Sequence, residues 1–149
     1  MDFNVIKHNT TPTLVSQVLL LELVDPSGAV APLETELSYD PADPLAVSAT
    51  FSTVAGRVRW TFGRDLLIEG LVEPVGDGDV HVWPCIDNDG NSVVIIELCS
   101  PDGEALVQGR TADITAFVER MTSSVAPGAE SALLDVDAAI AAILSGNAA

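Results

Sequence analysis

From residue 14 to residue 62 the hydrophobic and polar positions read as four strands, after which strand and helix spacing mix. Residues 14–24, rich in leucine and β-branched side chains, predict a first strand, ended by Asp25-Pro26-Ser27-Gly28. Residues 33–39 alternate strictly: Leu33, Thr35, Leu37 and Tyr39 share one side, and Glu34, Glu36 and Ser38 the other. That is a half-buried strand with its polar face in water. The rigid turn Asp40-Pro41-Ala42-Asp43-Pro44 follows. A third strand spans 45–53, with Val47, Ala49 and Phe51 opposite Ser48, Thr50 and Ser52. A turn at Ala55-Gly56 leads to a fourth, in which Val58, Trp60 and Phe62 point inward and Arg57, Arg59 and Thr61 outward.

At Gly63 the pattern becomes helical over 64–71, until Pro74, Gly76 and Gly78 break it into a flexible loop. A strand follows over 79–83, stopped by Pro84. Trp60 and Trp83 flank this helix and are read as buried packing points. Asp89-Gly90 predicts a two-residue hairpin turn. Beyond it, residues 92–99 form a nearly continuous apolar run, which needs cover on both faces from the core and from a helix or another subunit. Pro101-Asp102-Gly103 turns the chain back into a strand at 104–108.

Thr111 is placed to cap the next helix, with Asp113 near its positive end, and Ile114, Phe117, Val118 and Met121 mark one buried stripe. After Pro127-Gly128, a last helix over 131–145 carries Leu133, Val136, Ile140 and Ile143 on one stripe, with Gly146 to end it. Segments 47–64 and 93–110 each read strand, turn, strand, then Gly-Arg at a helix start. The fold expected is therefore α+β: two antiparallel sheets with helices, in a repeated strands-then-helix order. Residues 1–13 are a loose arm, 14–145 one domain, and 146–149 a tail.

Length and charge narrow the choices. A chain of 149 residues with 48 % hydrophobic content supports one full core. Six basic against 22 acidic residues give a net charge of −16, which opposes binding to nucleic acid or anionic lipid. No apolar run reaches the ~20 residues of a membrane span. Lys7 and Ala29-Val30-Ala31 loosely suggest a secretion signal, but Glu22 and the Asp25–Gly28 turn interrupt it. In the two-residue-turn register Cys85 faces Val94 and Cys99 faces Val80, too far apart for a disulfide. Two free thiols suit a reducing cytoplasm.

The chemistry-bearing residues are sparse. Asp87, Asp89 and Asn91 start like a calcium loop, but glycine is misplaced and Leu98 stands where the bidentate Glu belongs, so a hairpin turn is the better reading. Gly76-Asp77-Gly78-Asp79 lacks the Lys-Ser/Thr of a phosphate loop. His8, His81, Cys85 and Cys99 have no metal-knuckle spacing, and His81 is read as a surface histidine, so neither metal nor cofactor is expected. No Gly-x-Ser-x-Gly occurs. Asp65 and Glu69, one helical turn apart, read as a solvated face rather than an acid–base pair. Arg57, Arg59 and Arg64 form the one basic group, read either as partners for the excess carboxylates or as a docking patch.

Several stretches in order resemble the SsgA-like sporulation and cell-division proteins of actinobacteria. They are LSYDPADP at 37–44, WTFGRDLLIEGL at 60–71, GDVHVWP at 78–84, IELCSPDGEAL at 96–106, PGAE at 127–130 and LDVD at 134–137. The match runs from about Leu14 to Leu144, and its look is closest to the SsgB-like branch. Departures are Gly63 where Ala is usual, His81 where Arg is common, Leu45 where an aromatic is common, and Cys99 where Ser is usual.

The resemblance implies a non-enzymatic cytoplasmic regulator at division septa. Such a protein helps position sporulation septa and recruits the tubulin-like GTPase FtsZ with an SsgA-type partner. It also implies a whirly-like fold assembled as a homotrimer. Single-stranded nucleic-acid binding, the alternative by fold analogy, conflicts with the charge and the lack of a stacking platform. On the scaffold reading, partner contacts are expected at Arg57, Arg59, Arg64 and Asp65, and at the helix end carrying Arg120, Thr122, Ser123 and Ser124.

Overall fold

The computed structural model describes residues 13–145, without the side chains at 135–139, 141, 142 and 145. The expected arm up to residue 12, with His8, and the expected tail at 146–149 lie outside the described residues, as does the Val136 side chain. Four strands come first: β1 (Val15–Val24), β2 (Val30–Tyr39), β3 (Ala46–Thr53) and β4 (Gly56–Gly63). A short helix α1 (Arg64–Glu69) precedes β5 (Val75–Asp77), β6 (Val80–Ile86), β7 (Ser92–Ser100) and β8 (Gly103–Arg110). Helices α2 (Thr111–Ser124) and α3 (Glu130–Ser145) close the described chain.

All eight strands form one antiparallel sheet in the order β4-β3-β2-β1-β8-β7-β6-β5, not the two sheets expected. Each half is a meander of hairpins. A short ladder joins them, Glu22 to Gln108, Leu23 to Val107 and Val24 to Leu106, and Gln108 Nε2 donates to Glu22 Oε1 at 2.9 Å. Sequence alternation identifies hairpin neighbours but carries no mark of this long-range pairing.

The joined sheet curls into a half-barrel. Phe51, Val58 and Trp60 from one half line the same groove as Leu98, Ala105 and Val107 from the other. Strands this far apart in sheet order meet only if the sheet rolls. Its concave face carries the core. Leu33, Thr35, Leu37 and Tyr39 are all buried, as the alternation predicts, and so are Val47, Ala49 and Phe51. Helix α2 lays Ile114, Phe117, Val118 and Met121 into this hollow. Thr111 does not cap it: Arg110 holds the cap position, and the Thr111 hydroxyl lies 2.7 Å from that of Ser92.

Other readings are corrected by position in the sheet. Val58 is 43 % exposed, and Trp60 and Trp83 are only half-buried. β4 is an edge strand with a partner on one side only, so its inward residues face the open end of the half-barrel. Pro84 does not stop β6, which continues to Ile86. β5 pairs only with Val80–Val82, so at Pro84 the strand is a free edge where a missing N–H costs no ladder bond. The supposed loop around Gly76 is β5 itself, paired with β6. The hairpin before β7 turns through Asp87–Asn91, closed by the Asp87 N–H donating to the Asn91 carbonyl at 2.9 Å. This longer loop shifts the register by one: Cys85 faces Val93 and Val80 faces Leu98. Both cysteines are free. On α3, Leu133 packs against the core, whereas Ile140 and Ile143 of the expected stripe are exposed.

The deepest polar feature is an ion pair. Arg64 is fully buried, and its Nε donates to Glu130 Oε2 at 3.0 Å. The guanidinium carbon lies 5.2 Å from the centre of the Tyr39 ring, whose hydroxyl donates to the Pro44 carbonyl at 3.0 Å. Glu130 Oε1 accepts the Gly128 N–H at 2.6 Å. The pair thus ties α1 to the start of α3 across sixty-six residues. Nη1 and Nη2 of Arg64 are buried without a hydrogen-bond partner, so the cation depends on Glu130 and the Tyr39 ring face.

Burial pushes the Glu130 carboxyl up, but backbone N–H groups and Arg64 outweigh it, and the net position is below the ordinary 4.5. A carboxyl depressed on folding contributes its stability in full above its unfolded value and loses it as pH falls through the folded one. Stability to urea is therefore expected to hold near neutrality and to decline below about pH 4.5, and the decline should be shallower in Glu130→Gln. That variant leaves the buried Arg64 charge uncompensated and should cost about 3–5 kcal/mol at pH 7. Trp60→Ala, at a half-buried site, should cost about 1–3 kcal/mol, and a melting curve measures it.

Candidate functional site

The convex face of the sheet presents the side chains that the core leaves out. Across it runs a polar row that begins on the edge strand. Arg57, 62 % exposed, donates through Nη2 to Glu36 Oε1 at 3.1 Å. The Ser16 hydroxyl donates to the other Glu36 oxygen at 2.6 Å. Arg59 donates to the Ser48 hydroxyl at 3.1 Å, itself 3.0 Å from that of Thr61. The Ser16 hydroxyl first and then Arg57 hold the Glu36 carboxyl below its ordinary value. From the concave side, Arg120 of α2 donates to the Ser16 carbonyl at 3.2 Å and to Gln17 Oε1 at 3.1 Å, which ties the helix to the same strand. Strands β4, β2 and β1 and helix α2 are thus connected by named polar contacts.

The predicted contact residues divide on this geometry. Arg57, Arg59 and Arg120 remain exposed; the first two belong to the convex row, and Arg120 reaches β1 from α2 on the other side. Asp65 lies in the first turn of α1, and Ser123 in the last turn of α2; both are exposed. Arg64 is fully buried and belongs to the framework, because the turn at Gly63 points it inward toward Glu130. Thr122 donates back to the Val118 carbonyl at 2.9 Å. Ser124 ties α2 to the start of the described chain by donating to the Thr13 carbonyl at 2.7 Å.

Residues the sequence reading did not single out complete the surface. Val18 is 61 % exposed and Leu20 68 %, opposite Glu36 and Glu34 on β2. Strand β1 is apolar on both faces, as β7 is, and the run Val18-Leu19-Leu20-Leu21 carried that signal. On β7, Val93 and Ile95 are buried on the convex side, flanked in register by Cys85 and Arg110 and by Trp83 and Gln108.

A second cluster lies farther along the same face. The corrected register sets His81 directly opposite Glu97, with Cys99 two residues on. One donor atom from each lies within 4.8 Å of the others. Partial burial pushes the Cys99 thiol up, and Glu97, Glu104 and Asp79 add to it. The expected register placed Cys99 opposite Val80, which is why the grouping escaped notice.

The calcium-like loop is occupied by its own backbone. One Asp87 oxygen accepts the N–H groups of Asn91 at 2.8 Å and Asp89 at 2.9 Å. Two cavities open on the sheet: the apolar groove of about 330 Å³, and one of about 530 Å³ bounded by β1, Val30, the 87–91 loop and Arg110. Neither of these two cavities is lined by Asp65, Glu69 or His81.

Residues 33–130 match the family model described as Streptomyces sporulation and cell division protein, SsgA. The sporulation-specific cell division protein SsgB of Streptomyces coelicolor is 46 % identical over 134 residues, covering 89 % of this chain and 97 % of its own. SsgB of Frankia casuarinae is 41 % identical over 143 residues, with 95 % and 96 % covered. Among solved structures, an SsgB of S. coelicolor, in work linking its mutations to longitudinal cell division during sporulation, superposes with a TM-score of 0.77 at 44 % identity. That alignment covers 84 % of this chain and 98 % of the other. An SsgA-like sporulation-specific cell division protein of Thermobifida fusca gives 0.80 at 35 % identity, with 89 % and 97 % covered. The chain belongs to the SsgA family of sporulation and cell-division proteins, and within it is SsgB-like.

Proposed function

We propose that this chain is a non-enzymatic docking subunit that helps position sporulation septa and recruits FtsZ, in company with an SsgA-type partner. Relatedness to SsgB proteins across nearly the whole chain supports a cell-division role. The observation that carries the docking reading is the convex face. Val18 and Leu20 on β1 and Arg57 and Arg59 on β4 stand exposed on this one face, on a sheet rather than on a loop. Exposed apolar residues rimmed by charge suit protein contact. The guanidinium groups supply the positive charge that an acidic partner segment would meet on a protein whose net charge is −16.

The working form in this reading is a homotrimer in the cytoplasm, located at septa. Helix α3 leaves Ile140, Ile143 and Leu144 exposed, apolar surface that a copy of the chain would cover. The described residues contain no helix long and apolar enough to cross a membrane.

Light scattering with and without purified FtsZ tests both parts. A mass near three times the 15.5 kDa chain, rising when FtsZ is added, is the expected result. A monomer unchanged by FtsZ would refute the proposal. Leu20→Asp and the double variant Arg57→Glu/Arg59→Glu should each weaken FtsZ binding about tenfold or more without lowering the melting temperature, since these side chains are exposed.

A further inference from the structure

We propose that His81, Glu97 and Cys99 form a binding site for a divalent cation of the zinc class, on the convex face where β6 meets β7. The ligand set comes from two strands. Cross-strand partners on one face of an antiparallel pair stand close together, and the residue two further along is within diagonal reach. Here those three positions hold imidazole, carboxylate and thiol. Their donor atoms lie within 4.8 Å of one another, and His81 Nδ1 is 3.4 Å from Glu97 Oε1. Ligand atoms around tetrahedral zinc stand roughly 3.3–3.8 Å apart, given bonds of about 2.0–2.3 Å. The His–Glu edge already has that length, and rotation of partly exposed side chains can close the rest by about 1 Å.

Three further observations point to a ligand. His81 Nδ1 is buried, and beyond its 3.4 Å approach to Glu97 it has no hydrogen-bond partner. Buried nitrogens without partners are rare, and a metal bond would satisfy this one. The ring is also held in place from the other side. His81 lies opposite Gly76 on β5, and a Cβ at Gly76 would overlap the ring at Cδ2 and lie 2.8 Å from Nε2. Glycine lets the imidazole rest on the β5 backbone with Nδ1 turned toward Glu97 and Cys99. Lastly, the side chains that would close on an ion are partly exposed and can move, His81 being 44 % exposed and Glu97 29 %.

The donor chemistry selects the ion. Thiolate and imidazole favour zinc and cobalt over magnesium or calcium, which take oxygen ligands. One thiolate and one carboxylate neutralise a doubly charged cation, and a fourth position remains for water. Binding releases the thiol proton to solvent and involves no redox change.

The test titrates the reduced full-length protein with Co²⁺ and follows its absorbance. One equivalent should produce a near-ultraviolet thiolate-to-cobalt band, and Zn²⁺ should displace it. Cys99→Ser should abolish the band, and His81→Ala should weaken binding about a hundredfold. Gly76→Ala, which displaces the ring, should weaken it about tenfold. Cys85→Ser, at an exposed thiol outside the cluster, should leave it unchanged. Circular dichroism of each variant separates loss of the site from loss of the fold. Absence of one-to-one binding at metal concentrations on the order of 100 μM would overturn the proposal. So would a band that survives Cys99→Ser or disappears with Cys85→Ser.

Discussion

Two meanders become one molecule at the β1–β8 seam. Each meander is made of hairpins, whose pairing is local and costs little loop entropy. The seam is different: Glu22, Leu23 and Val24 meet Gln108, Val107 and Leu106 across more than eighty residues. Only with that ladder formed does the sheet curl and the concave face close around Ile114, Phe117 and Met121. The helix then reinforces what the ladder began, because α2 packs on β1, β7 and β8 together. The seam is short, so the apolar contacts that flank it, Leu21 and Val107 among them, carry the join as much as its hydrogen bonds do.

The same curl separates framework from surface. Concave positions are committed to packing, and the Arg64–Glu130 pair adds a polar tie between the first helix and the last. Buried ion pairs are weak sources of net stability but demanding of geometry, because either partner alone is a buried charge. Convex positions on β1, β2 and β4, such as Val18, Leu20, Arg57 and Arg59, are held by the sheet backbone yet stay outside the core. Partner residues placed there can vary without unfolding the domain. The basic group of the sequence splits along this divide, with Arg57 and Arg59 outside and Arg64 within.

Most strands and helices could be read from the residues, because period-two alternation and turn residues are local signals. Leu33, Thr35, Leu37 and Tyr39 show it most clearly. What failed was what depends on distant parts of the chain. The single sheet, the half-exposed Trp60 and the strand passing through Pro84 all follow from which strands lie at an edge. Arg64 looked like a surface cation because its partner, Glu130, is sixty-six residues away. The His81–Glu97–Cys99 grouping was hidden by one residue of register. Reading Asp89-Gly90 as a two-residue turn, where the chain uses Asp87–Asn91, moves every cross-strand pair by one place.

The two rims of the sheet differ in what they offer an approaching chain. Among the described residues β4 presents an eight-residue rim, whereas the opposite rim is the three-residue β5 followed by a stretch of β6 interrupted by Pro84. Fibrous growth by strand addition needs two adhesive rims on every molecule, one to receive and one to extend. This domain has one rim long enough for that and one that is blunted. A strand added at β4 therefore finds no equal rim from which growth could continue, and this geometry works against fibrils.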